Sequence, residues 1–275
     1  HTHSTVSDGT QSPAEVLASA AEAGIDVLAL TDHDSTAGWP EASQAARRWG
    51  ICFVPGMEVS CSRDGISVHL LSYLHDPGEP QLAATVEAAR DSREKRAERM
   101  VELLQQDVDI TWEAVQRHVQ PGATIGRPHI ADALVTRGVV TDRADAFSRL
   151  LSADGPYYVR HYAPDPVEAV RLVLGAGGVP VMAHPAASNR GRVVADTVIE
   201  ELVDAGLAGL EVDHPDHTAA QRAHLHELAR RWDLLETGSS DYHGEGKPNR
   251  LAECRTAPEV FDAIVARASG TPVVR

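Results

Sequence analysis

The chain opens on His1-Thr2-His3 and runs on through Asp8. It then carries Thr31-Asp32-His33-Asp34, Glu58, His69, His184-Pro185 and Ser240-Asp241-Tyr242-His243. Residues i and i+2 of an extended segment point to one face, so the imidazoles of His1 and His3 can reach one ion. Asp241 and His243 repeat that spacing after the small-residue run Thr237-Gly238-Ser239-Ser240 and offer a second pair of ligands. Imidazole nitrogen mixed with carboxylate oxygen suits divalent first-row ions such as Mn, Fe, Zn or Co, whereas closed structural zinc sites draw on cysteine. Two such pairs describe one composite centre, and the chemistry it predicts is metal-dependent hydrolysis.

Such a centre needs strands that end together. Residues about 14–23 form an Ala-rich helical stretch, with Pro13 at its start and Gly24 as its stop. Ile25 to Leu30 reads as a strand apolar enough to be covered on both sheet faces, and it delivers Thr31 to Asp34 at its C-terminal end. A helix at about 40–48 leads to Ile51–Val54 and then to Pro55–Val59. Later, Gly178–Ala183 delivers His184, and Leu207–Val212 delivers Asp213-His214. This alternation predicts an α/β fold, a (β/α) barrel whose mouth collects the polar strand ends. Between 90 and 162 the rhythm becomes helical, over Arg90–Gln106, Trp112–His118, Pro128–Arg137 and Asp142–Leu151. The expected division is therefore a first barrel part at 1–89, a helical insertion at 90–162 covering the mouth, and a second barrel part at 163–275. No linker or repeat separates them, so the insertion is expected to pack on the barrel.

A chain of 275 residues with 43% hydrophobic content can bury a large core, and no apolar run is long enough to span a bilayer. No signal peptide is visible. Because the chain starts directly on a candidate ligand, the first strand is expected to begin upstream of His1. A net charge of −15 disfavours broad capture of a nucleic-acid backbone. Clustered cations can still reverse the field that a phosphate meets inside the pocket. Cys52, Cys61 and Cys254 are odd in number and lack CxxC spacing. They read as buried small apolar residues, with a reducing cytoplasm as the natural setting.

The motifs His1-Thr2-His3-Ser4 with Ser7-Asp8-Gly9-Thr10, Thr31 to Asp34, Pro55-Gly56-Met57-Glu58, His184-Pro185 and Gly238 to Gly244 together resemble the PHP (polymerase and histidinol phosphatase) family. Gly126-Arg127-Pro128-His129-Ile130 and Glu211 to His217 narrow the resemblance to its small phosphoesterases, which include a 3′,5′-nucleotide bisphosphate phosphatase and a 5′-to-3′ exoribonuclease. It covers nearly the whole chain, in order. The resemblance implies a distorted (β/α)7 barrel with a helical insertion domain and two to three divalent metal ions, Mn, Fe or Zn. One ion would take His1, His3, Glu58 and Asp241, a second Glu58, His69 and His184, and a third Asp8, His33 and His243. Ser239 stands where Gly is common in the family and Tyr242 where Phe is common; neither removes a ligand. The implied reaction is phosphoester hydrolysis, in which the ions activate water and clamp the phosphate oxygens. The substrate would be a small phosphorylated nucleotide or the 5′ end of a short RNA, with no membrane and no stable protein partner implied. Histidinol phosphate, or a non-catalytic metal-binding module, are the alternatives.

On the substrate side, Arg127 is the expected phosphate clamp, since a guanidinium fork matches phosphate oxygens and the insertion should overhang the mouth; a salt bridge within the insertion is the competing reading. His214 is expected to protonate the leaving alkoxide or orient a phosphate, and His129 is a weaker candidate for the same duties. Lys247 follows His243-Gly244-Glu245-Gly246 and either touches a phosphate or faces solvent. His69 lies in the apolar run Ile66–Leu71, with His75 as an alternative ligand. Arg90, Arg93, Lys95, Arg96 and Arg99 read as a solvated helix face, because Asp91, Glu94 and Glu98 interleave them. His118, His161, His217, His224 and His226 read as surface or helix positions without a role.

Overall fold

In the computed structural model, which describes residues 1–275, Ser12 opens helix α1 (Pro13–Glu22). The Ser12 hydroxyl accepts from the Glu15 N–H while the Glu15 carboxylate accepts from the Ser12 N–H, so two otherwise orphaned donors are satisfied reciprocally. Gly24, at φ 70°, ends the helix: its N–H bonds to Ala21 O and that of Ile25 to Ala20 O. Ile25 is consumed by this cap, and the first strand, β1 (Val27–Leu30), therefore begins two residues later than the apolar run suggests.

Five more strands follow, β2 (Cys52–Arg63), β3 (Ile66–Tyr73), β4 (Val179–Met182), β5 (Gly209–Asp213) and β6 (Leu235–Gly238), paired in chain order in one curled six-stranded sheet. Pairs β1–β2, β4–β5 and β5–β6 are parallel, as a barrel requires. The β2–β3 and β3–β4 pairs are antiparallel, which breaks the expected strand-helix alternation. The cause is local. Arg63 pairs with Ile66 across Asp64-Gly65, both at positive φ (52° and 73°), and an Asp-Gly dipeptide is the sequence that a two-residue hairpin loop of that geometry demands. The two edges of the sheet are joined at the site end by the chain start: Thr31 N–H donates to Thr2 O, His3 N–H donates to Tyr242 O, and Thr2 bridges Tyr242 in parallel. Where the resemblance implies seven strands the sheet has six, and the chain start closes it only through this isolated bridge.

Helix α2 (Trp39–Trp49) packs with α1 over β1 and Phe53. Helix α3 runs unbroken over Pro80–Leu104, started by Glu79, whose carboxylate accepts from the Leu82 N–H. It begins well before residue 90: Leu82 and Val86 lie in the barrel core, whereas Ala97, Met100, Val101 and Leu104 join a second core with α4 (Trp112–Gln116), α5 (Arg127–Thr136) and α6 (Arg143–Arg149). Helices α7 (Pro166–Gly175), α8 (Asp196–Asp204) and α9 (Ala219–Arg231) bury Met57, Leu70, Met182 and Leu210 on one sheet face. Helix α10 (Pro258–Arg267) places Ile264 with Val54, Leu71 and Val181. No helix is long and apolar enough to cross a membrane.

Candidate metal centre

Thr2 turns toward β1, its N–H donating to Thr31 Oγ1 and its hydroxyl to Ala29 O, so its neighbours His1 and His3 face the other way. Their Nε2 atoms meet there. His1 Nε2 lies 3.1 Å from Glu58 Oε2 and 3.4 Å from Asp241 Oδ1; for His3 Nε2 the distances are 3.1 and 3.3 Å. Glu58 is 0% exposed and also faces His69 Nδ1 (2.6 Å), His184 Nε2 (3.2 Å) and His33 Nδ1 (3.2 Å). Asp8 faces His243 Nε2 at 3.3 Å and His33 Nε2 at 3.7 Å. All nine predicted residues are gathered in overlapping groups whose donor atoms lie within 4.8 Å of one another: His1, Glu58 and His184; His1, His3 and Asp241; His33, Glu58 and His69; and His3, Asp8, His33 and His243. His3 joins the last group as well as pairing with His1, and the set Glu58, His69 and His184 that the resemblance implies is divided, His69 grouping with His33 and Glu58 and His184 with His1 and Glu58. His75 is not among them. It is buried beside Trp39, its Nδ1 2.8 Å from Ser72 Oγ, while the hairpin pairs Ser60 with His69 and so sets His69 diagonally to Glu58 on one face.

A cation fits this arrangement. His1 Nε2, His3 Nε2, His33 Nδ1, Glu58 Oε2 and His243 Nε2 are buried and have no hydrogen-bond partner, although buried polar atoms are otherwise almost always satisfied. The backbone is also forced at the site: Asp34 (φ 50°), His184 (φ 31°) and Asp241 (φ 50°) adopt the left-handed region at three strand ends, and such outliers gather where function over-determines the chain.

Protons take up part of the charge when no ion is bound. Burial alone would lower the His3 imidazole, but its contacts with Asp241 and Glu58 push it up to about 9, and Glu211 and Glu58 act likewise on His1. Burial, with Arg190 and Lys247 adding to it, pushes His184 down to about 3 and His243 down to about 4. Burial would raise Asp8 and Glu58, yet their imidazole neighbours hold both well below the ordinary carboxylate range. A raised folded-state value such as that of His3 gives stability that is full below pH 6.5 and is lost on the way to about 9, at most about 3 kcal/mol. The lowered values of His184 and His243 act oppositely, costing stability as pH falls below 6.5. The metal-free protein is therefore expected to have its highest unfolding midpoint near pH 6.5, and the loaded protein to lose the alkaline decline, because ions replace the protons on His1 and His3. Thermal unfolding from pH 5 to 10 with and without chelator checks this; identical profiles would refute it.

The PHP domain family matches residues 1–134. Over 251 residues the chain is 36% identical to a 3′,5′-nucleoside bisphosphate phosphatase of Chromobacterium violaceum, covering 91% of this chain and 88% of that one. The chain belongs to the PHP family. It is also 35% identical, over 252 residues, to a phosphoribosyl 1,2-cyclic phosphate 1,2-diphosphodiesterase of Eggerthella lenta, covering 89% and 93% of the two chains. A solved structure from Bifidobacterium adolescentis, described as a metal-dependent phosphoesterase, superposes with a TM-score of 0.95 at 41% identity, covering 98% of this chain and 95% of that one.

Around this PHP centre the substrate-side candidates separate. His214 Nδ1 accepts from the Asp216 N–H, so the neutral ring carries its proton on Nε2, which is buried, unpartnered and 3.6 Å from Asp241 Oδ2. His129 differs: its Nδ1 accepts from the Gly126 N–H at the start of α5, so it caps that helix. Lys247 is not free in solvent; its Nζ is 2.8 Å from Asp241 Oδ2, which Arg190 also contacts at 2.7 Å while gripping Asp216. His217 is buried, its Nδ1 donating to Val212 O and its Nε2 accepting from the Ala186 N–H, a staple between the loops after β4 and β5.

The helix read as solvated is the main correction. Arg96 is only 6% exposed, and Arg93 reaches inward to Asp34 (Nε to Oδ2, 3.4 Å) and to Ser60 Oγ, beside His33 and opposite His69. Arg127 makes no salt bridge; it donates to Leu151 O and lies over the rings of Phe147 (5.2 Å) and Tyr158 (5.5 Å). Burial, then the nearby Arg93 and Arg127, push Arg96 down to about 9. Asp34 is the one carboxylate within ion-pair distance of any of the three.

Proposed function

We propose that this PHP chain hydrolyses a phosphate ester of a small nucleotide that carries a second phosphate, with a 3′,5′-bisphosphate as the reference substrate, at two to three divalent ions drawn from Mn, Fe and Zn. It is a hydrolase acting on phosphoester bonds. The observation that carries the finer reading is the cluster of Arg93, Arg96 and Arg127, a buried guanidinium between two half-buried ones with one carboxylate among them, placed next to the candidate centre. Uncompensated buried charge is costly, and a phosphate dianion is the ligand whose oxygens guanidinium groups match. The names of the relatives agree: one acts on a bisphosphate, the other on a phosphoribosyl cyclic phosphate, each with two phosphoryl groups.

In this reading His1, His3, Glu58 and Asp241 would hold one ion, Glu58 with His69 and His184, which both face its Oε1, a second, and Asp8, His33 and His243 a third. Bound divalent ions lower the pKa of water and neutralise phosphate oxygens. The Nε2–H of His214, its tautomer fixed by the Asp216 N–H, donates a hydrogen bond to a phosphate oxygen and so orients the group. Lys247 and Arg190 balance the Asp241 carboxylate until phosphate arrives. Segments 1–89 and 163–275 supply the centre, and 90–162 supplies the arginine site for the phosphate that does not react.

The test is turnover of 3′,5′-bisphosphoadenosine, a short 5′-phosphorylated RNA and histidinol phosphate by metal-reconstituted protein beside Asp241→Ala. Release of one phosphate per bisphosphate, absent in the variant, is the expected result. Mononucleotides released from the RNA would show that the arginine site takes a terminal phosphate on a longer chain. A preference for histidinol phosphate would overturn the two-phosphate reading.

A further inference from the structure

Behind the two imidazoles of the chain start lie two buried carboxylates that the proposed ligand set does not use. Glu211, in the middle of β5 and 0% exposed, sets Oε1 and Oε2 at 3.0 and 3.2 Å from His1 Nδ1, and its Oε2 accepts the backbone N–H of His184 at 2.8 Å. Asp32 follows β1 and is equally enclosed; Oδ1 accepts from the Ser4 N–H (2.7 Å) and the Ser7 hydroxyl (2.6 Å), and Oδ2 accepts from the Ser4 hydroxyl (2.7 Å). Ser7 has a single hydroxyl proton, and that short bond commits it to Asp32. The Ser7 oxygen, 3.3 Å from His3 Nδ1, can then only accept. The other neighbour on that side, Asp8 Oδ1 at 3.6 Å, is an acceptor too.

The geometry points to Glu211, and Asp32 acting through Ser7, as positioning residues that fix His1 and His3 in the Nδ1–H tautomer, so that both Nε2 lone pairs face Glu58 and Asp241. The inference rests on the metal reading above and extends it to residues that touch no ion. A carboxylate behind a ligating imidazole sets ring orientation and strengthens the nitrogen in front, and its removal ordinarily weakens metal binding about 10- to 100-fold. Glu211 does this for His1 while its bond to the His184 N–H holds the left-handed turn that presents a second imidazole. One buried side chain therefore sets two of the candidate ligands.

Two measurements test this. In zinc-loaded wild-type protein with 15N-labelled histidine, long-range nitrogen–proton spectra should show His1 and His3 protonated at Nδ1 with zinc at Nε2. Zinc titration against a competing chelator should show weakening of about 10- to 100-fold at the site of His1 and His3 in Ser7→Ala, with the remaining sites unchanged, and at that site together with the site of His184 in Glu211→Gln. In the same variants kcat should fall while KM holds. Zinc at Nδ1 of either ring, or variants that bind all their zinc as tightly as wild type, would overturn the inference and leave the metal reading standing. A wild-type protein that takes up no zinc would overturn both. The wild-type spectrum decides the matter even where a variant does not fold.

Discussion

Glu58→Gln should lower kcat/KM about a thousandfold or more, about 4 kcal/mol of transition-state stabilisation, and should cost the protein at least one bound ion while leaving its fold intact. The side chain keeps its length and shape, so the packing of Met57 and Val59 on either side of it is undisturbed. What changes is charge and donor pattern. The two carboxylate oxygens face five imidazoles, His69 and His184 on Oε1 and His1, His3 and His33 on Oε2. An amide must turn its NH2 toward one of those sets, and it then offers protons where a shared ligand has to offer lone pairs. No neighbour can substitute, because Asp241 reaches only His1, His3 and His243 in this group and Asp8 only His3, His33 and His243. Elemental analysis of the purified variant beside steady-state kinetics checks the expectation. Wild-type metal content together with a wild-type rate would show that Glu58 is structural.

The candidate ligands were legible because strand ends expose polar residues in a recognisable way. His33 and His184 each follow an apolar run, Asp241 follows the small-residue run Thr237–Ser240, and His1 with His3 and Asp241 with His243 carry the period of an extended chain. The hairpin was harder: Ile66–Leu71 read as a strand, but only the paired positive φ values of Asp64-Gly65 turn it antiparallel to β2 and bring His69, not His75, to Glu58. Glu211 was hidden because a strand carboxylate with no period marks nothing until its partner is known. The arginines were misread for a different reason. Interleaved Asp91, Glu94 and Glu98 give α3 the look of a solvated face, yet Leu82, Val86, Ala89, Met100 and Leu104 mark a stripe at intervals of three and four residues, and Arg93 and Arg96 fall on it. Charge on an apolar stripe is the signal that local pairing rules conceal.

Arg96→Met is expected to move stability and affinity in opposite directions. Arg96 is buried with Nε unpartnered; its Nη1 is 3.3 Å from His161 Nδ1, and it has no carboxylate within ion-pair distance. Replacing an under-neutralised buried charge by an apolar side chain of similar length ordinarily raises stability, here by about 1 to 2 kcal/mol, or a few degrees in the unfolding midpoint of the free protein. The same change should raise KM for a 3′,5′-bisphosphate about 10- to 100-fold, the loss of one charge-assisted contact of roughly 1.5–3 kcal/mol, with little effect on kcat because the proposed function puts the reacting phosphate at the metal centre and not at Arg96. Inorganic phosphate should raise the wild-type midpoint by mass action and raise that of the variant less. A purely structural arginine predicts the reverse pattern: a lower midpoint, an unchanged KM and an equal response to phosphate. Opposed signs can arise only if the energy that the free protein lacks at Arg96 is supplied by an anion, which is why thermal unfolding with and without phosphate tests the substrate assignment without relying on turnover.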